Sequence, residues 1–156
     1  MDGQFQLNAN VVEIVDRKIT PATVTVENGL IVSINPTGDA LHPTFLMPGF
    51  VDSHVHVESS MLVPSEFAKA AVCHGTVATV SDPHEIGNVL GVEGVEFMLD
   101  NAATVPFKFC FGAPACVPAT SFETSGATIS ADQVERLLAD DRIGYLSEVM
   151  DFPGVL

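Results

Sequence analysis

Pro48-Gly49-Phe50-Val51-Asp52-Ser53-His54-Val55-His56-Val57-Glu58-Ser59-Ser60 is the stretch on which the organisation of the chain turns. Residues 50–57 read as a strand. Side chains on a strand alternate between faces, so His54 and His56 project to one side, and Asp52 and Glu58 share their parity. Two imidazoles spaced in this way can hold one divalent metal ion side by side if they are neutral and steadied by neighbouring acceptors. The alternative is a pair of surface histidines on an edge strand. The apolar neighbours Phe50, Val51, Val55 and Val57 weigh against an exposed strand.

Downstream of this stretch the pattern becomes strand then helix, repeated. Residues 64–74 read as a helix with Pro64 in its first turn. Residues 75–82 read as a second strand, and 88–102 carry the apolar spacing of a second helix. Residues 105–112 form a third strand. Ser130 has the capping-box spacing to Gln133 at the start of a third helix, whose buried stripe is Val134, Leu137 and Leu138. Residues 142–150 read as a fourth strand. Strands alternating with helices imply a parallel sheet with right-handed crossovers. At about 30 residues per unit, the pattern fits either a doubly wound sheet or half of an eight-stranded barrel of about 250 residues. Periodicity does not choose between them.

Upstream, the periodicity is different. Residues 5–15 and 22–34 are rich in Val, Ile and Thr, and Asn28-Gly29 between alternating runs is a hairpin signal. Pro36, Gly38, Pro43 and Pro48-Gly49 punctuate the loop that follows. The expected organisation is therefore a small antiparallel β module over 1–46, taken as a small β-sandwich, and an α/β unit over 47–156.

The chain has 156 residues, with 20 Asp or Glu against 6 Lys or Arg, for a formal charge of −14. So acidic a chain argues against nucleic acid and against an anionic membrane surface, since both need clustered cations. At 47% apolar and 17% charged residues it has ample material for a core. Cys73, Cys110 and Cys116 lack CxxC spacing, which fits a reducing compartment better than a disulfide framework. Met1-Asp2-Gly3-Gln4 lacks a signal-peptide pattern, and no apolar run approaches the roughly 20 residues of a membrane span. The expectation is a soluble cytoplasmic protein.

Asp82, His84 and Glu85 follow the second strand, where polar residues are placed for substrate contacts or a proton relay. Alternatively, Asp82 caps the next helix and the other two are solvated. Glu58 and Ser59, just past the histidine pair, are weaker candidates for touching substrate or the metal surroundings. Glu148 lies near the end of the fourth strand, either as a ligand or as a solvated acid. Cys116, between Pro114 and Pro118, reads as a packed thiol rather than a nucleophile. His74 is placed for a helix-dipole role, and His42 lies in a loop.

The β module followed by Pro-Gly-Phe-Val-Asp-Ser-His-Val-His resembles the amidohydrolase superfamily of metal-dependent barrel hydrolases. Glu58-Ser59-Ser60-Met61-Leu62, residues 81–91 (SDPHEIGNVLG), residues 114–120 (PACVPAT), residues 123–127 (ETSGA) and Ser147-Glu148-Val149-Met150-Asp151 are similar to the adenine deaminases within it. The resemblance implies the first half of a (β/α)8 barrel, with His54 and His56 as first-strand metal ligands and Glu148 as a carboxylate bridging two divalent ions (Mn, Fe or Zn). It implies hydrolysis of adenine to hypoxanthine and ammonia in purine salvage, by water that the metal activates, and Asp82, His84 and Glu85 are the catalytic candidates that their place after the second strand offers.

The family pattern also requires histidines on the fifth and sixth strands and an aspartate on the eighth, which have no counterpart here. The expectation is therefore an N-terminal portion of a longer polypeptide, inactive by itself. Its open barrel edges would be covered by a second chain or by homo-oligomerisation. The readings from other classes are a cyclic-amide hydrolase of the same superfamily and a truncated metal-binding or interaction module.

Overall fold

The computed structural model describes residues 3–38, 41–151 and 153; Met1 and Asp2, on which part of the N-terminal reading rests, lie outside them. The chain divides into two compact units, Met1–Pro48 and Gly49–Leu156.

In the first unit, strands β1 (Gln4–Glu13), β2 (Lys18–Glu27), β3 (Leu30–Pro36) and β4 (Phe45–Leu46) form one sheet in the order β3-β2-β1-β4. The turn joining β2 to β3 falls on Asn28-Gly29, as the sequence indicates, with both residues at positive φ. Val11, Ala22 and Val24 make its small core, with Val26 and Leu46 against them. Two features differ from the expected module. The described residues form a single sheet rather than a sandwich, and β4 joins it parallel to β1, so the sheet is mixed rather than purely antiparallel. The reason lies in the fully buried Asn10. Its Oδ1 accepts the His42 N–H at 2.9 Å and its backbone N–H donates to the Thr44 carbonyl at 2.9 Å, which pins the returning loop alongside β1. This anchorage is the structural part played by the His42 segment.

In the second unit the elements are β5 (Phe50–Val55), a 3-10 turn (Val57–Ser60), α1 (Pro64–Val72), β6 (Thr76–Ser81), α2 (His84–Leu90), α3 (Val92–Ala102), β7 (Lys108–Ala113), α4 (Ala131–Leu138) and β8 (Ile143–Leu146). The four strands pair in parallel in strictly sequential order, β5-β6-β7-β8. A doubly wound sheet reverses its strand order at a switch point, whereas a barrel does not. The order therefore resolves what periodicity left open, and the unit has the topology of a partial barrel. Among the described residues β5 pairs only with β6 and β8 only with β7, so both outer strands are open edges.

The core gathers on the helical side of the sheet, where Val57, Val95, Met98, Leu99, Phe111 and Ile143 are buried together. Phe109 and Phe111 stack with ring centroids 5.6 Å apart. Ser130 and Gln133 form the expected capping box of α4, but only Leu137 of the expected stripe is buried, Val134 being partly covered and Leu138 43% exposed. The helix expected over 88–102 is two helices. Gly91, at φ 65° and ψ −144°, adopts a backbone essentially reserved for glycine and separates them. The first begins four residues earlier than its apolar spacing indicates, because its buried positions include His84 and Gly87, which carry no hydrophobic signal. No helix among the described residues is long and apolar enough to cross a membrane.

Arg142, entering β8, donates to both carboxylate oxygens of Asp140, at 3.0 and 2.7 Å, and to Asp100 of α3 at 2.8 Å. The guanidinium bonds to Asp140, with the Arg142 backbone N–H that also donates to it at 2.9 Å, hold the Asp140 carboxyl down to about 2. A carboxyl depressed on folding stabilises the fold above its unfolded value and loses that contribution as pH falls through the folded one. Asp140→Asn is therefore expected to lower the urea midpoint at neutral pH, with the gap to the parent closing as pH is taken from about 4 towards 2. A gap that stays constant across that range would contradict this assignment.

Candidate metal centre

The strand ends of the second unit converge on four side chains. His54 Nε2 lies 3.0 Å from His56 Nε2, and Glu148 reaches both, Oε2 at 3.7 Å from His54 and Oε1 at 3.6 Å from His56. With Asp82 they offer one ligand atom each, all within 4.8 Å of one another. Two imidazole nitrogens facing each other beside two carboxylates is a donor set that suits a divalent transition ion, and the mutual spacing is right for a shared cation. The residues present therefore fit a metal ion.

Each of the four is delivered by the parallel sheet. His54 leaves β5 on the face opposite Val55, and His56 follows at the entrance of the 3-10 turn, whose Val57 is fully buried in the core. The burial of Val57 fixes the turn, and strand alternation then fixes its neighbours on the other side. The Asp82 N–H donates to the Val55 carbonyl at 3.0 Å, extending the β5–β6 ladder by one bond beyond β6. Ser147 does the same beyond β8, donating to the Ala113 carbonyl at 2.9 Å. A Cβ on Gly112 would stand 2.2 Å from Ser147 Oγ and 2.7 Å from the Tyr145 ring, so only glycine lets β8 lie this close to β7.

Asp82 does not cap α2; Pro83 occupies the cap position with no side-chain bond. Its carboxylate is fully buried, with Oδ1 hydrogen-bonded to His84 Nδ1 and Oδ2 accepting the Glu148 N–H at 3.4 Å. Burial works to raise the Asp82 pKa, but the bond and charge of His84, the Glu148 N–H and the charge of His56 together outweigh it and leave the group lowered. Asp82 therefore favours its anionic form beside His54, His56 and Glu148. His84 is 2% exposed and turned inward, its Nε2 3.7 Å from Cys116 Sγ. Glu85 is the residue of this trio that faces outward, with Oε2 2.9 Å from His56 Nδ1.

Glu58 turns back to α2, where its Oε1 accepts the Ile86 N–H at 3.1 Å, while its buried Oε2 has no hydrogen-bond partner. Burial pushes the Glu58 carboxyl up, and the charge of Glu85 adds to it. Ser59 is exposed and donates its N–H to the His56 carbonyl at 3.1 Å. Cys116 is buried, as a packed thiol should be, but it also has the histidine neighbour that sequence distance concealed. His74 is exposed, its N–H bonded to the Ala71 carbonyl at the end of α1.

Comparison with known proteins agrees with this architecture. The model of the amidohydrolase family matches residues 45–155. An adenine deaminase of Sulfurovum sp. is 62% identical over 97% of this chain, and one of Salinibacter ruber is 57% identical over all of it. The chain spans 28% of the length of each of these two relatives. Among solved structures, a triazine hydrolase from Arthrobacter aurescens superposes with a TM-score of 0.56 over 87% of this chain and 42% of its own length, at 13% identity, which supports the fold alone. The family match over most of the chain, joined to a sequential parallel sheet that carries the histidine pair at the end of its first strand, establishes that the chain belongs to the amidohydrolase family.

Proposed function

We propose that the chain supplies the first strands of a metal-dependent hydrolase that converts adenine and water to hypoxanthine and ammonia, in cytoplasmic purine salvage. The observation that carries this reading is the 62% and 57% identity to adenine deaminases along a chain whose strand ends bring His54, His56, Asp82 and Glu148 together. These four residues would hold the metal, His54 and His56 through nitrogen and Asp82 and Glu148 through carboxylate oxygen. The chemistry that manganese, iron or zinc would supply when bound there is activation of water as a nucleophile at neutral pH.

The remaining side chains divide the other tasks. Glu85, half exposed and beside His56, is placed to carry a proton towards the departing amine. His84 acts indirectly, by holding Asp82. Glu58, bonded to the start of α2, and Ser59, bonded to the His56 carbonyl, act on the base only through the elements that they steady. The substrate is a small neutral molecule, which suits an acidic rim that a cation has partly neutralised. The open edges at β5 and β8 call for cover by further polypeptide, either a continuation of the barrel or a second chain, and the 156-residue chain alone is expected to have little or no activity.

The test gives the full-length protein and the 156-residue chain adenine, followed by ammonia release, and hydantoin and dihydroorotate, followed by chromatography of the ring-opened ureido acids. Turnover of adenine by the full-length protein alone is expected. Preference for a cyclic amide would move the protein to another branch of the family, and robust turnover by the short chain would overturn the reading that it is catalytically incomplete.

A further inference from the structure

Beyond the end of β8 the backbone stops pairing as a strand, although Glu148 and Met150 still have their N–H groups satisfied. The Glu148 N–H is taken by Asp82 Oδ2, and the Met150 N–H by Cys116 Sγ at 3.1 Å. Cys116 Sγ also lies 3.7 Å from the Glu148 carbonyl and 3.7 Å from His84 Nε2, and His84 Nδ1 closes the chain on Asp82 Oδ1. One buried thiol therefore touches both the segment that carries Glu148 and the histidine that orients Asp82. We infer that Cys116 is a positioning residue for the metal centre, a yoke that fixes the separation of the Asp82 and Glu148 carboxylates by joining the end of β6 to the end of β8 through His84 and the 148–150 backbone.

The inference rests on the metal reading above and adds a part of the molecule that the reading did not use. The geometry is specific to a side chain that can accept from one backbone N–H and face an imidazole nitrogen and a carbonyl at once, which a thiol does and an alkyl group cannot. Groups that orient metal ligands from behind typically change metal affinity by about 10- to 100-fold when removed. A thiol that served only as filler would behave differently, because serine in its place would bury a hydroxyl and do no better than alanine.

Mn(II) is the probe, since it favours carboxylate and imidazole and is not drawn to the thiol itself. With the full-length protein, Cys116→Ala is expected to weaken Mn(II) binding by about 10-fold or more, and Cys116→Ser to recover most of it, with far-UV circular dichroism of the metal-free proteins unchanged. A second measurement needs no variant: saturating Mn(II) should slow iodoacetamide labelling of buried Cys116, followed by peptide mass, and leave the exposed Cys73 and Cys110 rates as they were. A parent that takes up no Mn(II) overturns the metal reading and this inference with it. A parent that binds, while Cys116→Ala binds as tightly, serine fails to rescue, or Cys116 gains no protection, overturns this inference alone.

Discussion

Replacing His54 and His56 together by alanine is expected to abolish stoichiometric Mn(II) uptake. The two imidazoles supply the nitrogen ligands of the four-residue cluster, and what would remain is the buried carboxylate of Asp82 and the partly exposed one of Glu148. Two carboxylates without the imidazole nitrogens bind a divalent transition ion weakly and with little selectivity. The fold should survive, since the side chain of His54 is 50% exposed and that of His56 21%, and neither belongs to the core that Val57 enters. Atomic absorption of dialysed protein, beside circular dichroism of the same samples, separates loss of metal from loss of structure. Unchanged metal content in the doubly substituted, folded protein would remove the assignment.

The largest effect on stability is expected from Phe111→Ala. Phe111 is the bulkiest of the fully buried side chains, 1% exposed, stacked on Phe109 and set among Met98, Leu99 and Ile143. Truncating a buried phenylalanine removes its transfer free energy and leaves a cavity, which together cost about 3–5 kcal/mol. A domain of this size is stable by only about 5–15 kcal/mol. Urea denaturation should therefore show a large fall in midpoint, and a loss below about 1 kcal/mol would mean that the core collapses around the site or that Phe111 is less central than its burial indicates.

The strands themselves and the histidine pair were legible in the sequence because both depend on local regularities, whereas the order in which the strands pair does not. Alternation placed His54 and His56 on one side, Asn28-Gly29 announced a turn, and Ser130 with Gln133 announced a helix start. What escaped depends on contacts between distant residues. The start of α2 was hidden because its inward face is His84 and Gly87, and because the carboxylate accepting the Ile86 N–H comes from Glu58, on a different element. The parallel entry of β4 was hidden because it follows from Asn10 gripping a loop 32 residues away. Asp82 offered a capping pattern at short range, and the competing partners that claim it, His84 and the Glu148 backbone, lie 2 and 66 residues away. For Cys116 no pattern existed at all, since its partners are 32 residues off on one side and 32 and 34 on the other.

Strand alternation also bears on how such a protein can change. Val55, Val57, Phe109, Phe111 and Ile143 pack towards the helices, whereas His54, His56 and Glu148 occupy the opposite parity. The positions that hold the molecule together and those that face the chemistry are thus interleaved along the chain yet separate in space. A substitution that reshapes the reactive face leaves the packing face untouched, so the two can drift independently over generations. A lineage built on this sheet can acquire a different substrate without first acquiring a different core.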